Sequence, residues 1–254
     1  MTPITIEAVG SGKPVVLIHG FPLSPAIWDS QRDLSATYKL LLPTLPGMGG
    51  SDWEPFTIDS LADSIASALT DMGISRVIML GHSMGGYIAL SFAARHAGML
   101  SGFGLVASHP YADSSEAKSG RLQMIERIRR EGSDFVGDVM IQKIFAPQTI
   151  ASNPALISTA RSIMKSARPE AIINSQEAMS ARPDRSFLLV KMKIPVGLFF
   201  GAKDVSIIQT VQNDISALNS AARLMVLPES GHMPMMEHPN EFNSALQDFL
   251  STIQ

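Results

Sequence analysis

The chain has no cysteine among its 254 residues, which excludes disulfide frameworks, thiolate zinc sites, iron–sulfur clusters and cysteine nucleophiles. Charge is sparse as well: 17% of residues are charged and the formal net charge is −3. A nucleic-acid binder needs a strong basic field, so that class is disfavoured. No apolar run approaches the roughly 18 residues of a membrane span. The longest candidate, Pro195 to Phe200, has the length of a strand. Met1 to Glu7 lacks the basic and apolar regions of a signal peptide. The expectation is a soluble, cytoplasmic protein. It is not a disordered one, because a chain that is 45% hydrophobic can bury enough surface to offset its ordering entropy.

What the chain does contain is short apolar runs, two of which end in glycine. Val15 to Ile18 precedes His19-Gly20, Val77 to Leu80 precedes Gly81, and Val196 to Phe200 precedes Gly201. Apolar runs of this length without alternation predict strands buried on both faces of a parallel sheet. Leu40 to Pro43, Gly102 to Ala107 and Arg223 to Leu227 are further strand candidates. Helical patterns lie between them at Ile58 to Met72, Gly85 to His96, Ser206 to Leu218 and Pro239 to Leu250. This alternation predicts an α/β sheet covered on both faces.

Residues 109–185 break the alternation and predict only helices: Ser114 to Glu131 with Leu122, Ile125 and Ile128 on one face, then Asp134 to Phe145, Pro154 to Lys165 and Pro169 to Met179. This stretch carries 11 Lys+Arg against 9 Asp+Glu, while the remainder carries 9 against 14. An all-helical block inside an α/β alternation reads as an inserted cap or lid. The core would then comprise residues 1–108 and 186–254. The cap's arginines read as solvated surface, with the alternative that one of them clamps a carboxylate, as a C–C hydrolase of diacid substrates would need.

The segment Gly81-His82-Ser83-Met84-Gly85 contains Gly-Xaa-Ser-Xaa-Gly between a buried strand and a buried helix. That turn lifts a serine above the sheet edge, and its glycines let strand and helix approach. A serine hydroxyl is a poor nucleophile and needs a base. Of six histidines, His232 lies in a loop after a strand and before the last helix, free to reach the carboxyl edge of the sheet. Asp204 directly follows another buried strand and can fix the tautomer of that base. The order Ser83, Asp204, His232 is the one expected on such a sheet. Two backbone N–H groups, of Met84 and Phe21, are the candidate oxyanion donors. Gly10-Ser11-Gly12-Lys13 has Pro14 where a phosphate loop needs Ser or Thr, and reads as a hairpin turn. Gly47-Met48-Gly49-Gly50 lacks the third glycine of a dinucleotide fingerprint, and no metal-ligand cluster is evident.

With these motifs the chain resembles the α/β-hydrolase fold family, specifically its small serine esterase and lactonase-like members. The resemblance is carried by His19-Gly20-Phe21-Pro22 with Trp28 downstream, Pro46 to Asp52, Gly81 to Gly86, Gly201 to Asp204, and Gly231-His232 with Glu237 and Pro239 behind. It implies an eight-stranded, mostly parallel sheet with helices on both faces, a helical cap inserted after strand six, and no cofactor. Relatives usually carry Asp at about position 44, where Thr44 can only hydrogen-bond. The serine disfavours the branches that use an Asp nucleophile. Both tryptophans, Trp28 and Trp53, precede the cap, which lowers the enol-lactonase and C–C hydrolase readings.

The function expected is hydrolysis of small, fairly apolar carboxylic esters through an acyl-enzyme, with water and the ester as the only partners. A lactonase or C–C hydrolase, and a ligand-binding receptor on the same fold, stay open as alternatives. The oligomeric state is open too. Tyr111, Met124, Met140, Ile144, Phe145 and Met233 are candidate substrate contacts, because methionine and aliphatic side chains adapt to varied ligands. A histidine base predicts a rate that falls as pH drops through about 6–7.

Overall fold

The glycine-terminated apolar runs form the central strands of the sheet. In the computed structural model, which describes residues 4–253, the strands are β1 (Thr5–Val9), β2 (Lys13–Ile18), β3 (Tyr38–Thr44), β4 (Val77–His82), β5 (Leu100–Val106), β6 (Val196–Gly201) and β7 (Arg223–Leu227). Residues 1–3, part of the N-terminal segment read for a signal peptide, lie outside the described residues, as does Gln254. The sheet order is β1-β3-β2-β4-β5-β6-β7, parallel throughout except for β1. Every residue of β4 and β6 is buried, as strands covered on both faces require. Leu224 and Val226 of the edge strand β7 are 42% and 41% exposed.

Two expectations are corrected here. The sheet has seven strands among the described residues rather than eight, so the helical insertion follows the fifth strand. Gly10 and Gly12, at φ +80° and +103°, do turn the chain, but they do not close a hairpin. β3 lies between β1 and β2 and pairs with both. A Cβ on Gly10 would lie 2.3 Å from the Ser35 carbonyl oxygen, so the turn is shaped by the segment that leads into β3.

The helices are α1 (Ile58–Asp71), α2 (Met84–Arg95), α3 (Ser115–Glu131), α4 (Val136–Ile144), α5 (Pro147–Ser152), α6 (Pro154–Lys165), α7 (Pro169–Ala181), α8 (Ser186–Lys191), α9 (Gln209–Ala217), α10 (Pro234–Glu237) and α11 (Pro239–Ser251). None is long and apolar enough to cross a membrane among the described residues. Between β5 and β6 only helices occur, α3 to α8, so the helical stretch runs past Arg185. Its base is pinched where the Arg185 N–H donates to the Pro110 carbonyl at 2.8 Å. On α3, Ile125 and Ile128 are buried, but Leu122 is 59% exposed. Six residues turn a helix by about 600°, which leaves Leu122 about 120° away from Ile128.

Six parallel strands place their carboxyl ends at one edge of the sheet, where open α/β sheets bind ligands. Ser83 follows β4, Asp204 follows β6 and His232 follows β7 at that edge.

Candidate active site

Ser83 stands between β4 and α2 with φ 50° and ψ −116°, a left-handed conformation that costs a non-glycine residue about 1–3 kcal/mol. The surrounding backbone holds it there. Its N–H donates to the Val106 carbonyl at 3.0 Å, and its carbonyl accepts from Ser108 Oγ at 2.8 Å and from the Gly86 N–H at 2.9 Å. The motif glycines are sterically required. A Cβ on Gly81 would sit 2.1 Å from the Gly85 carbonyl oxygen, and one on Gly85 would sit 2.4 Å from the Ile18 carbonyl oxygen.

The candidate acid and base are hydrogen-bonded. His232 Nδ1 lies 2.7 Å from Asp204 Oδ2, with the two side chains 6% and 0% exposed. Asp204 Oδ1 accepts from the Ser206 and Ile207 N–H groups at 2.7 and 3.0 Å. Burial pushes the Asp204 carboxyl up, but the His232 ring and these two N–H donors outweigh it and hold the group below the usual carboxylate range. Asp204 is therefore an anion at neutral pH. It accepts from Nδ1–H and leaves Nε2 as the basic nitrogen of His232.

The loop carrying His232 is fixed from three sides. The His232 N–H donates to the Ile144 carbonyl at 2.9 Å, and His82 Nε2 meets the His232 carbonyl at 2.9 Å. Glu237 clamps both flanks: Oε1 accepts from the Gly231 and Met233 N–H groups at 2.8 and 3.2 Å. Its Oε2 accepts from the Ala146 N–H at 2.9 Å and from Thr149 Oγ1 at 2.7 Å, tying the loop to the helical insertion. Glu237→Gln turns one oxygen of this clamp into a donor facing other donors. It is expected to destabilise the fold by about 2 kcal/mol. Denaturant unfolding of both proteins checks this, and an unchanged midpoint would contradict the clamp.

Ser83 and His232 line one cleft of about 440 Å³, together with Phe21, the candidate oxyanion residue, and Met124, Met140 and Ile144 of the predicted contacts. Met84 opens α2, so its N–H has no acceptor within the helix. The loop bearing Phe21 is braced by His19, whose Nδ1 sits 2.9 Å from the Gly20 carbonyl and whose Nε2 accepts from the Leu45 N–H at 3.1 Å. That bond, with Ser51 Oγ donating to the Leu45 and Met48 carbonyls at 2.9 and 2.8 Å, orders the 45–52 loop without a carboxylate at Thr44.

Three predicted contacts do not line the cleft. Tyr111 stacks on His109, with ring centroids 5.8 Å apart. Phe145 and Met233 are buried in the hydrophobic core, 3% and 0% exposed. The walls are also less apolar than expected. Arg121, Lys143, Asp113, Gln176, Tyr87 and His109 share the lining. The arginines of the insertion are thus not all solvated surface, because the Arg182 side chain is 2% and the Arg121 side chain 19% exposed. Tyr87 was findable in the sequence, one helical turn after Ser83. Arg121, Gln176 and Arg182 converge only through the packing of α3 on α7. A second cleft, of about 620 Å³, is lined by Pro195 and Arg223 at the amino ends of β6 and β7, the edge opposite Ser83.

His19 and His82 are fully buried, and burial pushes them down to about 4 and about 3. Their folded-state affinity for protons lies below that of a free imidazole, so they stabilise the fold fully above about pH 6.5. That contribution fades as pH falls, because the unfolded chain binds protons first. At pH 5 each costs about 2 kcal/mol. Thermal unfolding is expected to show a steep fall in Tm between pH 7 and pH 5, and a flat Tm would contradict the neutral burial of both rings.

Comparison with known proteins agrees with this architecture. Over 258 residues the chain is 28% identical to the pimeloyl-acyl-carrier-protein methyl ester esterase of Edwardsiella ictaluri, covering 98% of each chain. An esterase from Thermogutta terrifontis, solved with malate bound, superimposes with a TM-score of 0.94 at 32% identity, covering 98% of this chain and 93% of that one. The enol-lactonase of Burkholderia xenovorans shares the fold, with a TM-score of 0.89 at 22% identity over 98% of this chain and 96% of that one. Residues 15–245 match the model of the alpha/beta hydrolase family, and the chain belongs to that family.

Proposed function

We propose that the protein is a serine hydrolase that cleaves small carboxylic esters through an acyl-enzyme on Ser83. The observation that carries this reading is the 2.7 Å bond from His232 to Asp204, with His232 and the strained Ser83 opening on one cleft. Ester-hydrolysing relatives support the reaction class.

In this reading Ser83 Oγ attacks the acyl carbon as His232 Nε2 takes its proton. Asp204 holds the imidazolium that forms. The charge developing on the carbonyl oxygen is met by the N–H groups of Phe21 and Met84, the latter at a helix N-terminus where the dipole favours an anion. His232 then hands its proton to the departing alkoxide. Water repeats the cycle on the acyl-enzyme and releases the acid. Met124, Met140 and Ile144 offer the acyl chain an apolar bed. The helices of the insertion act as the cap over this bed.

A p-nitrophenyl ester series from acetate to laurate tests the reading. Turnover is expected to peak at short to medium acyl chains, since the cleft of about 440 Å³ bounds the length it can take. A folded protein that cleaves none of them would overturn the esterase assignment.

A further inference from the structure

The wall of the cleft carries more positive charge than its carboxylates balance. Asp113, 4% exposed in its side chain, is shared by two guanidinium groups. Arg121 Nε donates to its Oδ2 at 2.5 Å, and Arg182 Nη1 lies 2.6 Å from its Oδ1 in an ion pair. One anion against two cations leaves one positive charge over, and Lys143 adds another to the same lining. The other ionisable groups do not offset it. Burial and the nearby Arg182 push His109 down to about 4, and burial pushes Tyr87 up, so both are neutral at pH 7. Asp204 is engaged with His232. Asp113 is the one carboxylate lining the cleft among the described residues.

The donors are also incompletely used. Arg121 Nη1 bonds Gln176 Oε1 at 3.0 Å and Met179 Sδ at 3.3 Å, and Nη2 reaches Asp113 Oδ1 at 3.4 Å. With Nε taken by Asp113, this accounts for four of the five N–H groups that a guanidinium has, and the fifth is on Nη2. Arg182 Nε, buried, has no partner at all. Arg182 is otherwise held by the Met179 carbonyl at 2.6 Å and His109 Nε2 at 3.4 Å and does not line the cleft. Arg121, with a free N–H and only a share of Asp113, is therefore the cation that a ligand anion in the cleft meets.

The position of the charge says which part of a substrate it meets. Arg182 lies 3.8 Å over the ring of Tyr87. Tyr87 follows Ser83 by four residues on α2, about 6 Å along the helix axis. Arg121 and Lys143 line the same cleft as Ser83 and His232, while Arg182 packs on the Tyr87 ring, so a ligand with its ester at Ser83 meets this charge elsewhere along its length.

We propose that the preferred substrates are half-esters of dicarboxylic acids, whose free carboxylate binds Arg121 while the ester end lies at Ser83. Met124, Met140 and Ile144 line the cleft that the intervening methylenes cross. This rests on the ester-hydrolase reading, and it replaces the expectation of a fairly apolar acyl group.

The test compares monomethyl adipate with methyl hexanoate, esters of equal acyl length with and without the distal charge. The wild type is expected to show a kcat/KM at least about tenfold higher for the half-ester, the scale of one charge-assisted hydrogen bond. Arg121→Met leaves Asp113 paired with Arg182. It is expected to collapse that ratio towards one, mainly through a higher KM for the half-ester, and Arg121→Lys is expected to restore part of it. Calorimetry of adipate with Ser83→Ala, which needs no turnover, is expected to show binding that the added Arg121→Met substitution removes. An equal or lower kcat/KM for the half-ester, or a ratio unchanged in Arg121→Met, overturns this proposal and leaves the esterase standing. Adipate binding without turnover of any ester overturns the esterase reading instead.

Discussion

Ser83→Ala is expected to lower kcat by about 10⁴–10⁶ while leaving the fold intact. The size follows from the division of labour in the site. On the proposed mechanism no acyl-enzyme forms without Oγ, and the residual rate comes from the oxyanion donors and binding alone. The backbone around Ser83 is held by its own N–H and carbonyl, through Val106, Ser108 and Gly86. Removing the hydroxyl therefore does not release the turn. Steady-state hydrolysis of p-nitrophenyl butyrate checks this, and a variant that keeps a tenth of wild-type turnover would contradict it.

Asp204→Asn is expected to lower kcat by about 10⁴, the loss seen when a triad carboxylate becomes an amide. The carboxylate lies 2.7 Å from His232 Nδ1 and, on the proposed mechanism, sets Nε2 as the base. An amide that turns its NH2 towards His232 favours the other tautomer, with the proton on Nε2 and no base aimed at Ser83. Steric change is small. Oδ1 continues to accept from the Ser206 and Ile207 N–H groups if the amide keeps its oxygen there. The variant should therefore fold and lose rate rather than affinity, with KM close to wild type. A loss below tenfold at neutral pH would mean that Asp204 does not orient the base.

The central strands and the sites that follow them were readable because each is a local pattern. Val77 to Leu80 is apolar without alternation, and glycine follows it because helix α2 crosses too closely for a Cβ at Gly81. The positions of Asp204 and His232 follow from the same logic, each lying just past a strand at the carboxyl edge of the sheet. What was not readable depends on contacts between distant segments. β1 lies at an edge with none of its five residues fully buried, so it carries no continuous apolar signal. Arg121 and Arg182 are separated by 61 positions, and nothing at either place announces that both bond Asp113. Tyr111, Phe145 and Met233 have the composition of a pocket wall, yet Tyr111 stacks on His109 and the other two pack into the hydrophobic core. Glu237 stood in the motif behind His232, but its four bonds to Gly231, Met233, Ala146 and Thr149 required the helical insertion to be in place.

Trapping the covalent intermediate tests the account most directly. The enzyme is mixed with p-nitrophenyl butyrate, quenched in acid within the first turnovers, digested and weighed by mass spectrometry. The expected result is a butyryl group on the peptide containing Ser83, absent from the Ser83→Ala protein. Sustained turnover with an unmodified Ser83, or with the label on another residue, would contradict it.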